Sequence, residues 1–278
     1  MTPHSFKIGG DLAVNRLGYG AMRLTGQPGN FGPFERWDDG VTLLRDAYDL
    51  GVTFFDSAWA YGPQTADRIL GEAIGDTAAV IATKGGVDKP APGNITVDGS
   101  RDTLLYQIDR ALTNLRRDRI DLFQLHRVDP QTPIEVSVAA LAEAQADGRI
   151  RHIGLSNVTS EQLARALDTA PIASVQNRFN MAETGAEDLV DYTAERGIAF
   201  IPYGPLGANP MRPGATLEPR QALAWLLRRS PNIIVIPGTT SIEHLRQNWQ
   251  SWQLVAKMDP GTVPDDQPAP SSNRIETA

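Results

Sequence analysis

Cysteine is absent from all 278 residues, which excludes disulfides, thiolate nucleophiles and cysteine-held metals. Histidine is scarce. His4, His126, His152 and His244 are the only four, and none shows H-x₃-H or carboxylate-paired helix spacing, so no resident metal is expected. No apolar run reaches the roughly 18 residues of a membrane helix. The opening "MTPHSFKIGGDLAVNR" lacks the basic-then-apolar order of a secretory leader. Positive charge is also in short supply: 26 Lys and Arg against 33 Asp and Glu leave a net charge of −7, with no dense basic block. Nucleic acid and anionic membranes are therefore poor partners, and a cytoplasmic location fits. The dinucleotide fingerprint G-x-G-x-x-G is missing too. Its nearest approach, "GYGAMR" at 18–23, ends in Arg23 and opens no matching helix.

What is present is a long alternation. Apolar, β-branched runs stand at 16–20, 52–56, 79–84, 120–126, 150–156, 172–177, 198–203 and 232–237. Near-continuous apolar runs are the mark of parallel strands buried on both faces. Amphipathic stretches lie between them. Leu105, Ile108, Leu112 and Leu115 share one helical face, and Thr159 precedes Gln162 by three residues as in a capping box. Eight strands with intervening helices predict an α/β fold, a (β/α)₈ TIM barrel in one domain spanning 1–258. The Gly-Gly turn in "FKIGGDLAVNR" predicts an N-terminal β-hairpin across the barrel's N-terminal mouth. After the seventh run, "GPLGANPMRPGATLE" is too rich in proline and glycine for a helix and predicts a shortened connection. The Pro-, Asp- and Ser-rich stretch 259–278 is expected to be a mobile or draped tail.

In such a barrel chemistry sits where strands end. The second, third and fourth runs end on Asp56, Lys84 and His126, and the turn after the second adds Tyr61. Strand ends are often polar merely because they meet solvent. Asp, Tyr, Lys and His converging on one mouth suggest more. A phenol holds its proton at neutral pH, a nearby ammonium makes it a better acid, and a buried ammonium needs a carboxylate. His126 could donate to the same carbonyl oxygen. Together they describe a general acid for an alkoxide as it forms. Nothing in the group supplies two electrons, so a cofactor must bring hydride.

These motifs resemble the aldo-keto reductases, from "GYGAMRL" through "RQNW". "FFDSAWAYG" is similar to that family's Asp-x₄-Tyr turn, "IATKGG" to its lysine strand and "DLFQLHRVD" to its histidine strand, in the family's order. The resemblance implies hydride transfer from a reduced nicotinamide to an aldehyde or ketone, with Asp56, Tyr61, Lys84 and His126 as the tetrad and Tyr61 as proton donor. It also implies cofactor contacts. Gly20, Ala21 and Met22 would lie near the nicotinamide end. Ser156, Asn157 and Gln176 would hold the carboxamide, and Tyr203 would stack on the ring. Gly204, Leu206 and Gly207 would pass the pyrophosphate. Pro237, Gly238, Thr239, Thr240, His244, Gln247 and Asn248 would face the adenosine end, where free N–H groups at a helix start suit a phosphate. Many members carry a lysine at the Gly238 position and an arginine at the His244 position, both contacting a 2′-phosphate. NADP(H) is still expected, with Arg246 able to compensate, and NAD(H) is the alternative.

The substrate pocket is less legible. Trp59 could wall it or pack under a loop, and Arg127 could attract an anion or sit in a surface ion pair. The long first loop, with Phe31, Phe34 and Trp37, could cover the site. Relatives of this type include reductases of small aromatic aldehydes such as pyridoxal. Two other classes remain open: a cofactor-binding regulatory or redox-sensing barrel with little turnover, and a barrel isomerase with a carboxylate base and a phosphate loop.

Overall fold

A computed structural model describes residues 4–205 and 218–257. Two expectations therefore lie outside the described residues: the greater part of the shortened connection, with Leu206 and Gly207, and the tail 259–278.

A seven-stranded parallel sheet forms the barrel wall. Its strands, in spatial order, are β3 (Tyr19–Gly20), β4 (Phe54–Asp56), β5 (Val80–Gly85), β8 (Ile120–Leu125), β9 (Ile150–Ser156), β10 (Ile172–Gln176) and β11 (Ala199–Phe200). The eighth apolar run forms no extended ladder. It closes the ring through single parallel bridges, Phe200 to Ile233 on one side and Leu17 to Val235 on the other. Buried Arg16 braces this seam by donating to the carbonyls of Ile233, Leu227 and Ser230.

Each strand turns one side chain inward and the next outward. Phe54 and Val80 face the interior, while their neighbours Phe55 and Ile81 meet the helical layer. Burial of each such large side chain contributes about 1.5–3 kcal/mol. The outer layer contains α1 (Trp37–Asp49), α2 (Thr65–Ile74), α3 (Arg101–Leu115), α4 (Ile134–Ala146), α5 (Ser160–Leu167), α6 (Glu187–Glu195) and α7 (Pro219–Arg229). The capping box at Thr159 forms as expected, with both reciprocal bonds. On α3 the fully buried line is Leu104, Ile108, Ala111 and Leu115; Leu105 and Leu112 lie at its edge.

The N-terminal hairpin, β1 (Ser5–Ile8) and β2 (Leu12–Asn15), is antiparallel. Its Ile8, Leu12 and Val14 pack with Phe54, Val80, Leu122, Ala173 and Ile234 from the starts of the barrel strands, stoppering that end. A second hairpin, β6 (Val87–Ala91) and β7 (Asn94–Val97), follows β5 at the opposite end and was not foreseen. Lys89 Nζ donates to the carbonyls of Gly29 and Asn30, joining this hairpin to the first long loop. That loop reaches the turn beside Tyr61, where Gly62 N donates to Asn30 O. The chain ends its described part with α8 (Ile242–Trp249) and α9 (Ser251–Lys257).

Candidate active site

Asp56 closes β4 and Lys84 lies near the end of the adjacent β5, both buried. Lys84 Nζ donates to Asp56 Oδ2 at 2.6 Å, to Ser57 O at 2.7 Å and to Tyr61 Oη at 3.4 Å. Three donors thus find three acceptors, the condition under which a fully buried ammonium can stay charged. Burial pulls the Lys84 pKa down, but Asp56 and Tyr61 together pull it up further, and the net shift is upward. Asp56 Oδ1 accepts from Gln176 Nε2 at 2.9 Å and from Gln124 Nε2 at 3.3 Å. The carboxylate is held at both oxygens.

Tyr61 sits on a turn hung from β5. Trp59 N donates to Lys84 O, and Tyr61 N to Ala58 O. The phenol ring meets the His126 imidazole edge-on, centroids 5.9 Å apart, and Lys84 Nζ lies 5.0 Å from the ring centre. Burial pushes the Tyr61 phenol above its ordinary pKa, and the opposing pull of Lys84 is smaller. The ammonium favours the phenolate, as expected of a cation beside a phenol. In the folded protein desolvation outweighs it, so the phenol is a firmly held proton at neutral pH.

His126 follows β8, its N–H bonded to Gly85 O. Burial, then the charges of Lys84 and Arg127, drive its pKa well below 6.5, so the ring is neutral at pH 7. Its Nδ1 is sealed from solvent with no partner among the described residues. Placing the single hydrogen on Nε2 avoids a buried N–H with nothing to bond.

Around the mouth the predicted residues separate into groups. Ser156 is buried and accepts from Asn157 Nδ2 at 3.0 Å. Asn157 has φ +57°, a left-handed conformation asparagine tolerates, and it also donates to His126 O and accepts from Tyr203 Oη at 2.7 Å. Tyr203 is half-buried beneath the Arg178 guanidinium, 5.4 Å from its ring centre. Gly20 and Ala21 are buried, while Met22 is 41% exposed. Gly204, φ +66°, accepts from Asn180 Nδ2 at 2.9 Å.

Gly238 runs against Gly20 at the barrel seam. A Cβ on Gly238 would lie 2.6 Å from Gly20 O, which is why a lysine cannot simply replace it. Pro237 O accepts from Gly20 N, and the backbone carbonyl of Thr239 accepts from Tyr19 Oη. Thr240, His244 and Gln247 are exposed and Asn248 is half-buried. The start of α8 is less bare than the sequence suggested. Ser241 Oγ already takes His244 N, and Glu243 adds a carboxylate to the first turn. Gln247 Nε2 is bonded to Glu243 Oε1.

Trp59 is 7% exposed, donates to Asp88 Oδ1 at 3.1 Å and meets Tyr106 edge-on, so it packs under β6–β7. Arg127 is exposed, and its charge reaches His126. Two residues of the site escaped the sequence reading. Gln124 is a lone amide two residues before His126, on the same inward face of an apolar strand, and that alternation was its signal. Asp67 lies on the buried face of α2 and accepts from Thr83 Oγ1 at 2.9 Å, directly behind Lys84. Its signal was position alone, three residues before Leu70 and seven before Ile74.

The Aldo/keto reductase family matches residues 16–221. Pyridoxine 4-dehydrogenase of Escherichia coli (strain K12) is 39% identical over 272 residues, covering 91% of this chain and 94% of that protein. An uncharacterized oxidoreductase of Schizosaccharomyces pombe is 35% identical, covering 90% and 87%. Among solved structures, an aldo-keto reductase from Klebsiella pneumoniae in complex with NADPH superposes with a TM-score of 0.76 at 25% identity, covering 92% and 91% of the two chains.

Proposed function

Because the chain belongs to the aldo/keto reductase family, and so is an NAD(P)H-dependent oxidoreductase of carbonyl compounds, we propose that Tyr61 is the acid of its reaction and that Asp56, Lys84 and His126 serve that acid. The observation that carries this reading is the buried Asp56–Lys84 pair bonded to the half-buried Tyr61, with an uncharged imidazole against the same phenol.

The residues at the mouth fit a nicotinamide dinucleotide. The Ser156 hydroxyl and the Gln176 amide suit a carboxamide, and Tyr203 offers a ring at the rim. Gly20 and Gly238 keep the seam free of side chains. Reduced nicotinamide supplies the hydride. His126 Nε2–H orients the substrate carbonyl oxygen and stabilises its growing negative charge. Tyr61 gives that oxygen its proton, leaving an alcohol. Lys84 stabilises the resulting phenolate, and Asp56 keeps Lys84 charged without moving a proton itself.

The cofactor we propose is NADP(H), the form bound in the Klebsiella neighbour, with Arg246 and Thr240 as candidate partners of a 2′-phosphate. For the substrate we propose a small aromatic aldehyde such as pyridoxal, in line with the E. coli relative's name.

The deciding experiment follows absorbance of the reduced nicotinamide with a panel of aldehydes and ketones, using NADPH and NADH in turn. Tyr61→Phe is expected to bind NADPH normally and to lose about 10²–10⁴-fold in turnover. Near-normal turnover in that variant would remove Tyr61 from its role. Tight cofactor binding without oxidation by any carbonyl would favour a regulatory barrel instead.

A further inference from the structure

Tyr203 follows β11 and forms a parallel bridge with Arg178, which follows β10. Its hydroxyl reaches on to Asn157, just past β9. The ring therefore lies across the ends of three strands. One of its faces is already taken. The Arg178 guanidinium stands over it, 5.4 Å from the ring centre. Arg178 is ion-paired with Glu183 at 3.1 Å, and Asn180 Nδ2 donates to the same carboxylate at 2.8 Å. The bonds of the Glu183 carboxylate go to Arg178 and Asn180, so the cation is the member of the pair that meets the ring. Arg178, Glu183 and Tyr203 line a cavity of about 400 Å³ together with Thr159 and Ala186, the residues that open α5 and α6. None of Asp56, Tyr61, Lys84 and His126 lines it, so this face of the ring is turned away from the mouth. The opposite face is left for a nicotinamide.

We propose that Arg178 is a positioning residue that acts through the Tyr203 ring and makes the site favour the reduced cofactor over the oxidised one. The two forms differ in charge where they meet the ring. Oxidised nicotinamide is a cation and reduced nicotinamide is neutral. The face of a phenol attracts cations, so Tyr203 alone would hold the oxidised form the more tightly. Arg178 opposes this in two ways. Its charge repels a second cation across the thickness of one ring, and it already draws the ring's electrons to its own side. Glu183 offsets part of that charge but not all of it, since it is bonded to the guanidinium rather than to the ring. The arrangement eases departure of the spent cofactor after carbonyl reduction. The proposal rests on the nicotinamide reading of this mouth.

The test needs no turnover. Calorimetric titrations of the full chain with NADPH and with NADP⁺, at one pH and low salt, give the ratio of the two dissociation constants, oxidised over reduced. Arg178→Gln is expected to lower that ratio about threefold, chiefly by tightening NADP⁺. Glu183→Gln removes the offsetting charge and should raise it by about as much. Both side chains are partly exposed, 44% and 41%, so both variants should fold, which circular dichroism checks. Should one of them fail to fold, the direction of the other decides. An ion pair that merely held the loop would move both variants the same way. A guanidinium that touched the cofactor phosphates would weaken both forms alike when removed and leave the ratio unchanged. Either result overturns the proposal while leaving the cofactor reading intact. Failure of the wild type to bind either form, as NADP(H) or as NAD(H), would overturn both.

Discussion

Asp67 is a carboxylate sealed between α2 and β5 with no ion-pair partner among the described residues, held by the Thr83 hydroxyl through both oxygens. Burial pushes its pKa from 3.8 up to about 6. The sign follows directly. A carboxyl that is more basic in the folded state binds protons preferentially there, so its contribution to stability falls as pH rises from about 4 to about 6. Above that window the buried charge costs on the order of 3 kcal/mol. Asp67→Asn cannot ionise. Its melting temperature relative to the wild type is expected to be several degrees higher at about pH 8 than at about pH 5. A difference that stays constant between the two would show that Asp67 does not titrate there. The sequence exposed Asp56, Tyr61, Lys84 and His126 because each ends or follows an apolar run. It hid Asp67 and Gln124 because their partners, Thr83 and Asp56, lie 16 and 68 residues away and only folding brings them together.

Parallel strands buried on both faces leave a strong written trace, and the runs at 120–126, 150–156 and 172–177 became β8, β9 and β10 within a residue. The run at 232–237 left the same trace and became single bridges, since apolar content cannot say whether a segment keeps its ladder or merely crosses it. β6–β7 was silent for the opposite reason. "VDKPAPGNITV" has little apolar content, and its hold on the barrel comes from Trp59, Lys89 and the loop at Gly29. The seam beside α8 is where an element constrains chemistry. Placing a lysine at this position, Gly238→Lys, sets a Cβ against Gly20 O. It is expected to cost about 1–3 kcal/mol, read as a lower melting temperature, without tightening NADP⁺ binding. Tighter binding at unchanged stability would mean the seam can open.

At the scale of the molecule the two ends of the barrel are specialised. One carries the polar mouth; the other is filled by Ile8, Leu12 and Val14. Leu12→Ala is expected to cost about 2–5 kcal/mol in denaturant unfolding while kcat stays within about twofold. A large loss of kcat at preserved stability would tie the hairpin to catalysis instead. Asp11, at the hairpin turn, is bonded to Arg151 at 2.7 Å and to His152 at 2.6 Å, which holds its pKa below 3.8. This tether persists at neutral pH and is lost only as pH falls through that lowered value.

The stopper has a consequence for traffic. With one end filled by apolar side chains, the half-buried Tyr61 phenol meets solvent on the side of the polar mouth. The phenol is recharged through the same doorway by which the alcohol departs. Product exit and proton entry thus queue at one threshold, and each cycle must clear it before the next can begin.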